Sequence, residues 1–402
     1  MSDHLEEVLR STLGHASDLA PHAPSDLSTH IARRSRVRRM RVQAVVAAAA
    51  VVVMAGGTAM AVRGAGHDPT AVSPSVTPSP TATEARIPAP VEKVWPEAVW
   101  KIPAKLPGVR KFQPRGFIDD RTLLLETWES FEKANAIYAY DLNSGRVRKV
   151  TNIRTPKGVY ASGYAVGGGR IVWQTIDATH GEPVTTSFWW APVTGGKVTA
   201  IATERAVKGG GDQLAVVGDR LAFSLSEGGV FTVPLDGGAV EPVAGAEGHH
   251  ILRWPWVGTP GQYTPEGETS FQELLNAETG ETSRAAVHPG EKYVRCGVTM
   301  CSGTKADRTD FYRLRDGSQE RPLPPRSSLF GLALDRFLTA HLPNPPGGQV
   351  LYDVVTGKSG DLGLRPNAKG QSIAVEPAIG DGRLVAYPLG NEYVIIDLAK
   401  IQ

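Results

Sequence analysis

The chain has 402 residues, 41% of them hydrophobic and 21% charged, which is long enough for one large domain or two ordinary ones. Its net charge of +2 is local: residues 1–43 carry seven of the 43 basic and five of the 41 acidic side chains, leaving 36 of each beyond them. That neutral remainder excludes the electrostatic footprint of a nucleic-acid binder, and 44 Gly with 30 Pro favour a turn-rich fold over a helical one.

The first element is a short amphipathic stretch, His4 to Leu13, with Leu5, Val8, Leu9 and Leu13 at helical spacing. Residues 20–24 (Ala-Pro-His-Ala-Pro) break it, and Ser25 can cap a second helix that carries Leu27 and Ile31 on one side. The functional reading of residues 1–30 is a docking helix for a cytoplasmic partner. The plainer reading, a short helix on the lipid surface or a frayed tail, is preferred because ten residues make a marginal helix.

Ala44 to Val62 follow without a charge, about the ~20 apolar residues needed to cross a bilayer. Arg33, Arg34, Arg36, Arg38, Arg39 and Arg41 precede this segment and only Arg63 follows closely. Basic residues stay on the cytoplasmic side, so the expectation is a single-pass cell-membrane protein with its N-terminus inside and its C-terminal domain extracytoplasmic. Ala59-Met60-Ala61 has the form of a signal-peptidase site, but the preceding segment is too long for a usual signal peptide, and an uncleaved anchor is preferred. Residues 63–94 are rich in Pro, Ser, Thr and Ala and read as an extended, semi-rigid stalk.

From residue 95 to 402 one pattern recurs: a strand ending near Asp-Leu, then a tight turn with Gly. The copies are residues 137–145 (IYAYDLNSG), 188–196, 230–238, 271–280, 311–317 and 350–357, with a seventh at 393–401 meeting the chain end. Their final glycines lie 51, 42, 42, 37 and 40 residues apart. A Gly/Asp-Arg turn leading into a strand precedes most copies, at Arg121, Arg170, Arg220, Arg336 and Arg383. A period near ~40–50 residues with several short strands per unit predicts an all-β propeller, seven blades preferred and six possible. Two successive β-sandwiches are the competing fold, but they require no turn motif at a constant interval. Residues 393–401 supply a third strand to the last blade, and Ala98 to Ile102 is placed to add the fourth, pairing the chain ends.

In these turn motifs and this layout the outer domain resembles the WD40 or TolB-like propellers of bacterial envelope proteins. The whole chain is similar to actinobacterial single-span membrane proteins with an Arg-rich inner tail and such an outer domain. The resemblance implies a fold and a place; it transfers no functional residue.

Chemistry is sparse. Cys296 and Cys301 are spaced to bridge two adjacent strands, and outside the membrane a disulfide between them is expected. No G-x-S-x-G, H-E-x-x-H, phosphate-loop or EF-hand pattern occurs, so no catalytic residue, cofactor or metal is expected. His249, His250, Trp254 and Trp256 form the densest group suited to a binding face, although adjacent strand histidines point to opposite sides. Trp173 reads as core, and Glu126, Glu129 and Glu132 read as a solvated acidic loop.

The expected function is a membrane-anchored, non-enzymatic module that binds or senses an envelope ligand or protein partner at the propeller funnel. The alternative is a transmembrane, anti-sigma-like regulator whose tail binds a cytoplasmic factor. A propeller glycoside hydrolase or lyase is weaker, because no acid pair stands out.

Overall fold

The computed structural model describes residues 87–402 apart from positions 131–132, 180, 182, 263, 265–267, 344–345, 369, 372 and 379–381. The inner tail, the six arginines at 33–41, the apolar segment 44–62 and most of the stalk lie outside the described residues. Among the described residues no helix is long and apolar enough to cross a membrane.

The strands sort into seven antiparallel sheets in chain order. Blade 1 is Phe112–Phe117, Thr122–Ser130, Lys133–Asp141 and Val147–Asn152. Blade 2 is Val159–Gly167, Arg170–Asp177 and Thr185–Pro192, the last of which pairs with both Thr199–Ile201 and Val207–Lys208. Blades 3, 4 and 5 begin at Gly211–Val217, His250–Arg253 and Lys292–Cys296, each a four-stranded meander. Blade 6 ladders three strands from Phe337–His341 to Ser359–Asp361. The first strands of blades 1 to 4 lie side by side in turn and form the inner wall there.

Strand alternation accounts for the burial. In blade 2, Ile171 and Trp173 turn toward blade 1, while Val172 between them packs with Leu221 and Phe223 of blade 3. In blade 1, Leu124 faces blade 2, whereas Leu123 and Leu125 face Ile102, Ala386 and Ile395 of blade 7. Both faces of these strands are covered, so they read as hydrophobic runs such as Leu-Leu-Leu and Ile-Val-Trp. Core clusters occupy every blade–blade seam, including the one between blades 7 and 1.

Blade 7 closes the ring. Leu384–Leu389 and Glu392–Asp397 come from the chain end, and Val99–Pro103 adds to them with Val99 opposite Ile396 and Ile102 opposite Tyr393. The pairing expected of the two chain ends is therefore present.

Both repeated motifs are structural. The Asp or Asn that ends the third strand of blades 1, 4, 6 and 7 caps the following turn: Asp141 Oδ1 accepts the Asn143 and Ser144 amides, and Asn276 Oδ1 accepts those of Glu278 and Thr279. In blades 1 to 6 the turn ends on a glycine with positive φ, 69° at Gly145 and 74° at Gly280, a conformation a side chain disfavours. In blades 6 and 7 the Arg before the second strand reaches that same Asp. Arg336 holds Asp353 through two bonds of 2.7 and 2.8 Å, and Arg383 holds Asp397 at 2.6 and 2.7 Å. Arg383 also reaches Asp120 of blade 1 at 2.8 Å, tying the closing seam.

Candidate binding face

The regular ladder gives way along the inner strands, and in blade 1 along the outer ones as well. In blades 1 to 5 the pairing of first with second strand shifts register once, at Pro114/Gly116, Ser162/Tyr164, Gly211/Leu214, Ile251/Arg253 and Lys292/Arg295. A bulge leaves a residue unpaired and re-aims its side chain, which is how β-scaffolds build sites next to an otherwise rigid sheet. Here the shifts fall beside the polar residues Arg115, Tyr164, Asp212 and Arg295.

Two polar clusters result. Arg115 is ion-paired with Glu126 of the adjacent strand, and Tyr164 of blade 2 donates its hydroxyl to Glu126 at 2.9 Å. Burial and the Glu126 carboxylate push the Tyr164 phenol well above its ordinary range. The guanidinium of Arg115 also sits 5.4 Å from the Trp128 ring. In the second cluster Asp212 of blade 3 stands between His250 Nδ1 of blade 4, at 3.1 Å, and the Ser224 hydroxyl, which donates at 3.3 Å. Gln174 of blade 2 donates to the Asp212 carbonyl at 3.4 Å, so this cluster spans three blades.

Blades 6 and 7 differ. The position of their first strand is held by one bridge in blade 6, Ser327 to Ala340, and by no ladder among the described residues in blade 7. There Glu376 is largely buried and accepts from Thr339 Oγ1 at 2.7 Å, with Ser328 and Gln349 turning polar groups toward it. Burial raises its carboxyl above the usual range.

Cys296 and Cys301 are joined, directly opposite one another in the first hairpin of blade 5 and fully buried. The four residues read as a binding face are half-buried and divide among several contacts. The Trp254 indole packs into the seam between blades 3 and 4 and donates to Glu278 at 2.8 Å. Trp256 packs with Leu252, Phe271 and Leu274 toward blade 5. His250 joins the Asp212 cluster, while burial holds the His249 imidazole below its ordinary range.

Glu126 corrects the reading of an acidic loop: it is 1% exposed, ion-paired inside the ring, and only Glu129 of the two described residues is exposed. The missed signal lay in its position at the end of the Leu123–Leu125 run, on a strand covered on both faces. Trp173, read as core, is buried. Among the described residues no three His, Cys, Asp or Glu side chains stand together as metal ligands.

No family model matches the chain, and no curated protein matches it. Among solved structures the chain is similar to "YCF48 bound to D1 peptide", at 10% identity and TM-score 0.44, over 78% of this chain and 99% of that one. It is similar to Kuenenia stuttgartiensis hydrazine synthase at 13% identity and TM-score 0.37, over 74% and 100%. The third is the WD40 β-propeller domain of Doa1, at 7% identity and TM-score 0.37, over 70% and 90%. These likenesses are of fold alone, and they fall on proteins of different function.

Proposed function

We propose that this chain is a membrane-anchored propeller that binds or senses an envelope ligand or protein partner without catalysing a reaction. Residues 44–62 are its anchor, the arginines at 33–41 keep the N-terminus cytoplasmic, and the stalk from residue 63 holds the propeller away from the membrane on the extracytoplasmic side. The stalk ends earlier than residue 94, because the Asp361 amide donates to the Ala89 carbonyl at 2.9 Å and Val91 is 1% exposed in the propeller core. The observation that carries the binding role is the inner ring, where register shifts in five successive blades bring charged and polar side chains onto a closed, rigid scaffold. Those side chains are engaged with one another, Arg115 with Glu126 and Asp212 with His250, which suits a preorganised recognition surface.

A second reading is supported by the apolar spacing of Leu5, Val8, Leu9 and Leu13: the inner tail holds a cytoplasmic factor and the propeller is its sensor. One experiment tests both. The full-length chain and a form lacking residues 1–40 are captured from crosslinked native cells and their partners compared. The binding-module reading expects the same envelope partners in both. A cytoplasmic partner lost with the truncation makes the chain a transmembrane regulator, and no envelope partner in either capture overturns the proposal.

A further inference from the structure

The neutral balance beyond residue 43 conceals a segregation. From Leu142 to Ile176 the chain holds Arg146, Arg148, Lys149, Arg154, Lys157 and Arg170, and no Asp or Glu. Arg170 is answered by Asp236 of blade 3 at 3.0 Å. The other five follow the outer strand of blade 1, Val147–Asn152, and the chain at its two ends, and all five are exposed. Blade 2 adds Lys197, exposed beside Gly196, whose amide donates to the Val150 carbonyl of that strand at 3.1 Å.

None of these six cations meets a carboxylate among the described residues. Arg148 is steadied by the Thr194 and Val193 carbonyls, at 2.6 and 2.8 Å, and Lys149 Nζ lies 6.0 Å from the Tyr138 ring. The acids of blade 1 are engaged elsewhere: Asp120 with Arg383, Glu126 with Arg115 and Glu129 with Lys133, while Asp119 and Asp141 cap turns. Glu132 lies outside the described residues, and counted in full it sets one negative charge against six positive ones.

The stripe also lacks what other partners need. The exposed large apolar side chains among the described residues are Ile87, Val287, Tyr293, Phe330 and Val355, and none stands on it. It therefore offers no aromatic or apolar centre for a protein interface. The Gly196 amide and the Thr151 hydroxyl, which donates to the Gly196 carbonyl at 3.0 Å, close the middle of the edge to an added strand. What remains is a line of solvated cations along a strand about 20 Å long. A single phosphate ion meets one or two of them, whereas a linear phosphate chain meets all and releases a counterion at each contact. Three of the six are arginines, whose forked donors match phosphate oxygens.

We infer that the outer edge of blade 1 binds a linear phosphate polymer. The inference rests on the binding-module reading and names the chemistry of one envelope ligand.

The test is titration of inorganic polyphosphate, in a series of chain lengths, into the detergent-solubilised full-length chain. Affinity should rise with length until the polymer spans the strand, and log K should fall linearly with log salt. Arg146→Gln, Lys149→Gln and Lys157→Gln should each weaken binding about 2–5-fold and lower the salt slope by about 0.7. Lys358→Gln, on the exposed turn of blade 6, should change neither. Slopes and affinities unchanged in the three variants overturn the assignment, as does equal binding of orthophosphate at the same total phosphate. Tighter binding of phosphatidylglycerol vesicles assigns the edge to a membrane surface, and equal binding of polyglutamate assigns it to charge alone; either result also overturns the polymer. The two readings fail separately. An envelope partner captured by a chain that binds no polyphosphate sinks the stripe and leaves the binding role standing, whereas absence of any captured partner from the unaltered chain sinks the binding role.

Discussion

Glu376 is a largely buried carboxyl group, and no cation among the described residues compensates for it. Its neighbours Thr339, Ser328 and Gln349 are neutral, and burial raises its pKa above that of the unfolded chain. The folded state therefore holds this proton more tightly than the unfolded state does. The associated stability is fully present below the unfolded carboxyl value and is lost as pH rises through the raised folded one. Glu376→Gln, which imitates the protonated form, should melt higher than the unaltered chain at pH 8 and show no such gain at pH 4. Thermal melts at both values check this, and a gain of equal size at both would show that the carboxyl's ionisation plays no part. Glu126 shows the opposite solution to the same problem, a buried carboxylate matched by Arg115 and Tyr164. The sequence presents both as ordinary glutamates, because what distinguishes them is the strand that folds against each.

Val99–Pro103 shows how much one short element does. It is separated from its partner Glu392–Asp397 by nearly the whole propeller in sequence, yet Ile102 is 1% exposed at the seam between blades 7 and 1. Ile102→Ala removes buried methylenes and leaves a cavity, at a cost of about 2–5 kcal/mol. A lowered melting temperature is expected for it, with no change for Val355→Ala, whose side chain is 66% exposed. Equal melting of both variants would mean that the closing strand does not hold the ring. The blade 5 hairpin supports a smaller prediction. Its disulfide closes a sequence separation of 5, which chain entropy values at about 2 kcal/mol. Replacing both Cys296 and Cys301 with Ala should lower the melting temperature by less than the loss of ring closure, and mass spectrometry of the unaltered protein should find the two linked.

At the scale of the molecule, the glycine-ended turns at near-constant intervals made the blades countable from sequence, and seven sheets are present. The pairing of chain ends was legible too, because the last unit ran out of residues while an unassigned extended stretch stood before the first. The inner ring was less legible. Its register shifts depend on how a strand bends against the sheet beside it, and no local motif marks Asp212 or Tyr164 as a partner of residues 38 positions away. The capture experiment belongs to this scale: a propeller that binds by itself keeps its envelope partners when residues 1–40 are removed.

The sequence by itself determined the repeat, the turn chemistry and the hydrophobic runs, because each depends on local conformation and on strands covered on both faces. It also carries the whole case for the membrane segment, which rests on hydropathy and flanking charge. Only the tertiary structure decided which polar residues meet. Arg115 with Glu126 and Tyr164, and Asp212 with His250, depend on contacts between strands or blades. Electrostatic partnership falls off over a few ångströms in space, and adjacency in space is what a closed ring creates between residues far apart in the chain.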